Sequence, residues 1–100
     1  MNSEAEQFIN ESKISLITNQ FKILSEESRL RILYALQNGE KTVSEIIEET
    51  GFLQANVSKQ LKILLDADIL SLRTEGKHHY YSISDTQILK ICQIMCTTIK

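Results

Sequence analysis

The sequence predicts a mainly α-helical domain that carries one small β-hairpin. Its 100 residues include no proline and only three glycines, Gly39, Gly51 and Gly76. No position is therefore barred from a helix by proline, and each glycine marks a place where the backbone turns. A chain of this length is expected to form one domain. Its 42% apolar and 24% charged residues are typical of a globular protein and exclude collagen, disulfide frameworks and low-complexity disorder.

The composition also limits where the protein is expected to work. No apolar run approaches the roughly 18 residues that a membrane span needs, so no membrane partner is predicted. The start of the chain carries Glu4 and Glu6 rather than a basic segment followed by an apolar one, so no secretory signal is expected. Two cysteines in such a chain favour a reducing compartment, which predicts a cytoplasmic protein.

The first half of the chain predicts three helices. Apolar residues at helical spacing predict the first helix over about residues 4–24. Ser25 is followed by two glutamates, which predicts a capped second helix that ends at Gly39. The sequence TVSE, beginning at Thr42, is a capping box and predicts a short third helix that ends at Gly51.

A brief turn joins this third helix to a fourth, amphipathic one. Only residues 51–53 separate the two helical patterns, and the pair is predicted over about residues 43–67. Two helices joined by so short a glycine-containing turn are the pattern of a helix-turn-helix. Polar side chains on the fourth helix are the types that bind base edges and phosphates. The polar residues on this face are Gln54, Asn56, Ser58, Lys59 and Lys62.

A hairpin and a last helix complete the predicted order. Aromatic and β-branched residues on both sides of Gly76 predict a hairpin, or wing, over residues 69–83. A second capping box, at residues 84–87, predicts the last helix over about residues 85–99. The order predicts a winged helix-turn-helix with five helices that spans residues 1–100. The wing residues predicted to contact a neighbouring groove or the DNA backbone are Arg73, Lys77 and His78.

The charge of the chain is unevenly distributed. The net charge is −2, but residues 1–50 hold five basic and nine acidic side chains, whereas residues 51–100 hold six basic and four acidic ones. The half that contains the polar helix and the hairpin is therefore the positive half. Because DNA-binding domains are usually more basic than this, we expect modest non-specific affinity and a strong dependence on dimerisation.

Four segments resemble the ArsR/SmtB-type repressors. Residues 21–33, FKILSEESRLRIL, are similar to the family's LKALADPTRLRIL, and residues 51–61, GFLQANVSKQL, to its GLSQSTVSRHL. Residues 64–70 resemble LREAGLV, and residues 76–83, GKHHYYSI, resemble the wing sequence EGRxVYYSL. The resemblance runs in order over residues 21–84.

This resemblance implies a homodimeric winged-helix repressor. Members of the family dimerise through their first and last helices, bind a double-stranded inverted-repeat operator and are released by an inducer. Leu53 stands where most relatives have a serine cap, so we expect the recognition helix to begin loosely or to be held by packing. Asp68 replaces a glycine, and aspartate tolerates a left-handed turn. The recognition residues match at Gln54, Ala55, Asn56, Ser58 and Lys59.

Most inducer sites of the family are not matched. The thiolate pair after the second helix would fall at Thr42 and Ser44, neither of which is a cysteine. The zinc site of the last helix keeps only Asp85, and one carboxylate does not hold zinc. The second-helix cysteine of the persulfide sensors falls at Tyr34, which excludes that pairing.

Cys92 and Cys96 are the remaining candidate sensor thiols. At positions i and i+4 they share one helical face, which suits a soft metal or metalloid ion such as As(III), with a third ligand from the other subunit. The alternative is that both pack as small apolar residues. No cofactor is certain from the sequence.

Several residues have alternative interpretations. His78 and His79 are neighbours on a strand and point to opposite faces, so they form a poor chelating pair. Lys59 and Arg73 are either DNA contacts or solvated charges. The residues expected in the core of this region are Leu61, Tyr80 and Tyr81. The alternative to a repressor is a winged-helix protein–protein module without DNA binding, and the absence of a catalytic constellation predicts that the protein is not an enzyme.

Overall fold

The computed structural model describes residues 8–100, which form five α-helices and a three-stranded antiparallel sheet. This is the winged helix-turn-helix that the sequence predicts. The elements are α1 (Ile14–Leu24), α2 (Glu27–Leu36), β1 (Lys41–Thr42), α3 (Val43–Thr50), α4 (Gln54–Asp66), β2 (Leu70–Glu75), β3 (His78–Ile83) and α5 (Thr86–Thr98).

The first helix begins later than predicted. Its expected start, at residues 4–7, lies outside the described residues, and residues 8–10 are not helical. A 3₁₀ turn over Glu11–Lys13 precedes α1. The side chain of Asn10 accepts a hydrogen bond from the backbone N–H of Ser12, at 3.0 Å, and so begins this turn locally. The prediction of one continuous helix was therefore wrong for residues 8–13.

The predicted cap of α2 was also wrong. Ser25 ends α1 instead, because its hydroxyl donates to the carbonyl oxygen of Lys22 at 2.7 Å. Glu26 occupies the N-cap position of α2 and makes no side-chain capping hydrogen bond. The helix ends at Leu36, where Gly39 donates its backbone N–H to the Leu36 carbonyl at 3.2 Å.

The cap of α5 is one residue later than predicted. A carboxylate oxygen of Asp85 accepts a hydrogen bond from the backbone N–H of Gln87 at 3.0 Å. The hydroxyl of Ser84 points back and donates to the carbonyl oxygen of Asp68 at 3.2 Å. Ser84 therefore joins the helix entry to the wing, and the capping box predicted there does not form.

The turn chemistry around the helix-turn-helix is as predicted. Thr42 accepts from the Glu45 backbone N–H at 3.2 Å, and Glu45 accepts from the Thr42 N–H at 2.9 Å, which completes the capping box. The hydrogen bond from Thr42 lowers the pKa of Glu45. Gly51 ends α3 in the left-handed region at φ 74°, and Asp68 has φ 60° before the wing.

The sheet has one more strand than the sequence predicts. β3 lies in the centre, pairing with β2 from Leu70↔Ile83 to Glu75↔His78 and with β1 at Lys41↔Tyr81. A strand of two residues has no measurable periodicity, so β1 could not be recognised from the sequence. Its pairing attaches the start of α3 to the wing.

The core lies under the helix-turn-helix. No residue of α1 is buried, and α5 contributes only Ile88. Tyr81 packs against this core, whereas Tyr80 is half-buried under the guanidinium of Arg73, so the prediction that Tyr80 is a core residue was wrong. The most deeply buried apolar side chains are Ile32, Ile46, Val57, Leu61, Leu64 and Ile69.

Candidate nucleic-acid interface

The recognition helix α4 is held at its start by the backbone and by packing. Leu53, its N-cap residue, makes no side-chain capping hydrogen bond and is 81% exposed. The Leu53 carbonyl accepts the Val57 N–H at 3.1 Å, and Phe52 packs against the core. The hydroxyl of Thr50 accepts the Phe52 N–H at 3.2 Å. The turn therefore fixes the helix entry without the serine cap that the family resemblance implies.

One face of α4 is turned to solvent. Ala55, Ser58, Lys59 and Lys62 follow the spacing of one helical face, and all four are exposed, as is Gln54 one turn before Ser58. Lys62 lies 3.5 Å from the carboxylate of Asp66, an exposed pair of the kind that contributes little. The opposite face of the helix is buried at Val57, Gln60, Leu61 and Leu64.

Asn56 differs from the other predicted recognition residues. It is half-buried, and its side-chain oxygen accepts a hydrogen bond from Nε2 of Gln60 at 3.0 Å. Gln60 itself is 1% exposed. Gln60 interrupts the apolar spacing of Val57, Leu61 and Leu64 and was not among the predicted site residues. A polar residue on an apolar stripe was the signal that a buried hydrogen-bond network exists there.

This network joins the recognition helix to the start of α2. Arg29 donates to Oε1 of Gln60 at 2.9 Å and to the carbonyl oxygen of Ile23. Glu26 accepts from Nε2 of Gln60 at 3.1 Å and lies 3.0 Å from the Arg29 guanidinium. The Arg29 side chain is only 12% exposed. All donors and the acceptor of the buried Gln60 amide are therefore engaged, which fixes its orientation.

The wing residues have two different environments. Lys77 and His78 are exposed at the end of the hairpin. Arg73 instead lies 2.7 Å from Glu40 and 2.8 Å from Glu75, and its guanidinium lies 4.4 Å from the centre of the Tyr80 ring. The hydrogen bond from Arg73 lowers the pKa of Glu40, and the same contact raises the pKa of Arg73.

The two histidines of the wing have different neighbours. Nδ1 of His79 lies 3.1 Å from the hydroxyl of Thr74, across the hairpin. The His78 ring lies 6.1 Å from the ring of Tyr80. Within residues 8–100 no group of three or more His, Cys, Asp or Glu side chains is arranged to hold a metal ion.

A second surface, formed by α1 and α5, is strongly apolar. We call it the α1–α5 face and define it by its exposed large apolar side chains. A groove of about 810 Å³ lies beside it, between these helices and α2, and its walls include Phe21, Tyr34 and Met95. The face consists of Ile14, Ile17, Phe21, Ile91, Ile94, Met95 and Ile99.

Both candidate sensor thiols line this groove. Cys92 is half-buried and packs against the core, whereas Cys96 is exposed. Burial raises the pKa of the Cys92 thiol, and the neighbouring Cys96 raises it further. Cys92 is therefore protonated at neutral pH, which makes it a weak nucleophile.

The comparisons with known proteins identify the family. The family model described as "Bacterial regulatory protein, arsR family" matches residues 26–71. The "Arsenical resistance operon repressor" of Bacillus subtilis (strain 168) is 34% identical over 84 residues, covering 80% of each chain. The chain belongs to the ArsR family. This confirms the resemblance in the sequence and makes the chain an ArsR-type, DNA-binding transcriptional regulator.

Solved structures of regulators have the same fold as this ArsR-family chain. The AntR antimony-specific transcriptional repressor superposes with a TM-score of 0.83 and 28% identity, over 96% of this chain and 87% of that one. The transcriptional repressor BigR from Xylella fastidiosa gives a TM-score of 0.82 and 26% identity, over 90% and 92% of the two chains. No helix within residues 8–100 is long and apolar enough to cross a membrane.

Proposed function

We propose that the protein is a homodimeric repressor that binds inverted-repeat operator DNA through α4 and the wing. The observation that carries the proposal is the exposed face of α4, where short polar and basic side chains stand on a helix whose other face is fully buried. An α-helix of this kind fits the major groove. The naming of the Bacillus subtilis relative as a repressor supports the direction of regulation and a non-enzymatic role.

The side chains divide the contacts with DNA between them. Gln54 and Ser58 are suited to the edges of bases, and the methyl group of Ala55 is suited to a thymine methyl group. Lys59 and Lys62 are placed to neutralise phosphates. Of the wing residues, Lys77 and His78 are exposed and suited to the backbone. Arg73 is the least available, because two carboxylates already compensate its charge.

The α1–α5 face supports the homodimer. Seven large apolar side chains, each 37–68% exposed, lie on two helices that a single chain leaves uncovered. Such a patch on a small protein marks an association surface. A twofold-symmetric pair of chains would bury it and present two α4 helices to half-sites one helical turn apart. Dimerisation would compensate for the low net charge of −2.

A binding measurement with a charge-matched control tests the proposal. DNA fragments containing an inverted repeat are selected from a random pool, and affinity is measured by fluorescence anisotropy at several salt concentrations. Lys59→Ala is expected to weaken binding and to reduce the slope of log K against the logarithm of the salt concentration by about one, because one fewer counterion is released. Lys90→Ala, on α5, removes the same charge away from α4 and is expected to change neither. Binding to no DNA at low salt would contradict the proposal and favour the protein–protein module.

We further propose that, if the inducer is a soft metal or metalloid ion, it binds at Cys92 and Cys96. Two thiols supply only two ligands, and no third ligand group lies with them among the described residues of one chain. A third ligand would come from the other subunit of the dimer. The antimony and arsenic responses named for two similar proteins support this class of signal.

Titration of the protein–operator complex tests this site. Arsenite is expected to release the DNA, and release is expected to strengthen with rising pH because the raised pKa of Cys92 makes its proton compete with the ion. The variant Cys92→Ser/Cys96→Ser is expected to bind DNA normally and to resist release. If arsenite released the DNA equally from both proteins, the cysteines would have only a packing role.

A further inference from the structure

The hydrogen-bond network around Gln60 determines which atoms of Asn56 face the DNA side of α4. Every polar side-chain atom of Arg29 is a hydrogen-bond donor, so the Gln60 atom that it contacts at 2.9 Å must be the amide oxygen. The Gln60 amide nitrogen then points to Glu26, at 3.1 Å, and to Asn56, at 3.0 Å. Because an amide nitrogen only donates, Asn56 must offer its oxygen to it.

The orientation of Asn56 follows from the ionic pair behind it. Glu26 accepts and Arg29 donates, so a flipped Gln60 amide would place two donors together and two acceptors together. The buried Gln60 cannot turn to water to relieve such a mismatch, since it is 1% exposed. Asn56 is thereby held with Oδ1 inward. Its Nδ2 is solvent-accessible, because a buried Nδ2 would be a polar atom without a partner, and among the described residues Oε1 of Gln20 is the only such atom.

We propose that Asn56 is a specificity-determining residue that acts toward DNA as a hydrogen-bond donor only, and that Gln60 is the positioning residue that makes it so. The usual asparagine contact with adenine needs both an oxygen, for N6–H, and a nitrogen, for N7. With its oxygen turned inward to Gln60, Asn56 cannot present its oxygen and its nitrogen together to the adenine edge. It donates instead to an acceptor, which is N7 of either purine, O6 of guanine, O4 of thymine or a phosphate oxygen. The inference rests on the proposed DNA binding through α4.

Operators with single-atom changes test the proposal on the wild-type protein. Each adenine of the selected operator is replaced in turn by purine, which lacks only the 6-amino donor. For every adenine, wild type and Asn56→Ala are expected to lose the same fold of affinity, because Asn56 accepts nothing from N6. A loss that is present in wild type and absent in Asn56→Ala would overturn the proposal.

A variant of the positioning residue provides the second test. Gln60→Met keeps the length of the side chain and removes its amide, which leaves Asn56 able to turn its oxygen outward. DNA selected from a random pool by Gln60→Met is expected to gain adenine at one position of each half-site, by about tenfold over wild type, the size of one bidentate contact. The control Asn56→Ala/Gln60→Met is expected to show no such gain. A folded Gln60→Met protein that selects the wild-type sequence would overturn the role of Gln60.

The outcomes separate this inference from the proposed function. If wild type binds no DNA, the proposed function fails before Asn56 is examined. If wild type binds and its purine profile depends on Asn56, only the inference fails. Should Gln60→Met not fold, as judged by its thermal transition, the purine series on wild type still decides the matter.

Discussion

The helix-turn-helix with its wing is packed within one chain, whereas the α1–α5 face is not. The ten buried side chains of the core cluster come from α2, α3, α4, β2 and the segment before it, and from α5 through Ile88 alone. Helix α1 buries none of its side chains, and Phe21, Ile94 and Ile99 are 58–68% exposed. The helix-turn-helix half is therefore packed within a monomer, while the apolar side chains of the α1–α5 face are left exposed.

Because of this difference, one region contributes to the free energy of folding and the other to the free energy of association. Burial of core side chains supplies the stability that holds α4 in place. Burial of the α1–α5 face is still available, and it becomes stabilising only on association. Mutations in the first region should therefore change folding at any protein concentration, and mutations in the second should change dimer formation and operator affinity.

The largest effect is expected from charges placed on the α1–α5 face. Ile94→Lys/Met95→Lys introduces two charges at side chains that are 63% and 53% exposed in the monomer, so folding is expected to survive. The dimer is expected to dissociate, and operator affinity to fall by about 100-fold or more, since the two half-sites are no longer linked. Analytical ultracentrifugation and anisotropy measure both effects. Leu72→Lys, on the wing, is the control and should remain dimeric. A dimeric double variant would show that the chains associate elsewhere.

The next effect tests the core under the recognition helix. Leu64 is fully buried, and Leu64→Ala is expected to lower the free energy of unfolding by about 2–5 kcal/mol. The matched control Leu72→Ala, at a side chain that is 44% exposed, should change it by less than about 0.5 kcal/mol. Urea unfolding of dilute protein measures both. Equal losses would mean that the two leucines are not distinguished by packing.

Much of the local structure could be predicted from the sequence, although the caps expected at Ser25 and Ser84 do not form, and the long-range contacts could not. The capping box at Thr42, the turn at Gly51 and the left-handed Asp68 depend on neighbouring residues, and all form as expected. The pairing of Arg73 with Glu40 joins residues 33 apart, and no local pattern reports such a contact. The same holds for the two-residue strand β1.

The candidate interface could be predicted where it depends on local helical spacing, and could not be predicted where it depends on long-range hydrogen bonds. Helical spacing placed Gln54, Ser58, Lys59 and Lys62 on one exposed face, which the structure has. It placed Asn56 there too, without the hydrogen bond that turns its oxygen inward. Contact of these residues with DNA stays a prediction until binding is measured.

A smaller effect is expected at the uncapped start of α4. Leu53→Ser supplies an oxygen for the backbone N–H groups of the first turn, at a side chain that is 81% exposed. The variant is expected to gain about 1 kcal/mol of stability, the usual size of an N-cap. Leu53→Ala removes the same apolar surface without adding a cap and should gain nothing. If both variants unfold at the same urea concentration, packing already satisfies the start of this helix.

The smallest effect is expected at the wing, where charges compensate each other within the chain. Glu40→Gln removes one of the two carboxylates that hold Arg73, and Arg73 then becomes available to a phosphate. Operator affinity is expected to rise by no more than a few-fold, because exposed ion pairs contribute little, and its salt dependence to steepen. The control Glu48→Gln, on α3, makes the same charge change away from the wing and tests whether net charge alone explains the gain.

The lowered pKa of Glu40 predicts how this pair depends on pH. A carboxyl group with a lower pKa in the folded state stabilises the fold above its ordinary pKa of about 4.3 and loses that contribution as the pH falls through its lowered value. The melting temperatures of wild type and Glu40→Gln should therefore differ at pH 7 and converge as the pH falls through the lowered pKa of Glu40. A difference that persists unchanged at low pH would show that the ionised Glu40 does not hold Arg73. Arg73 would then be available to DNA in the wild-type protein, and the charges of the wing would not be compensated within the chain.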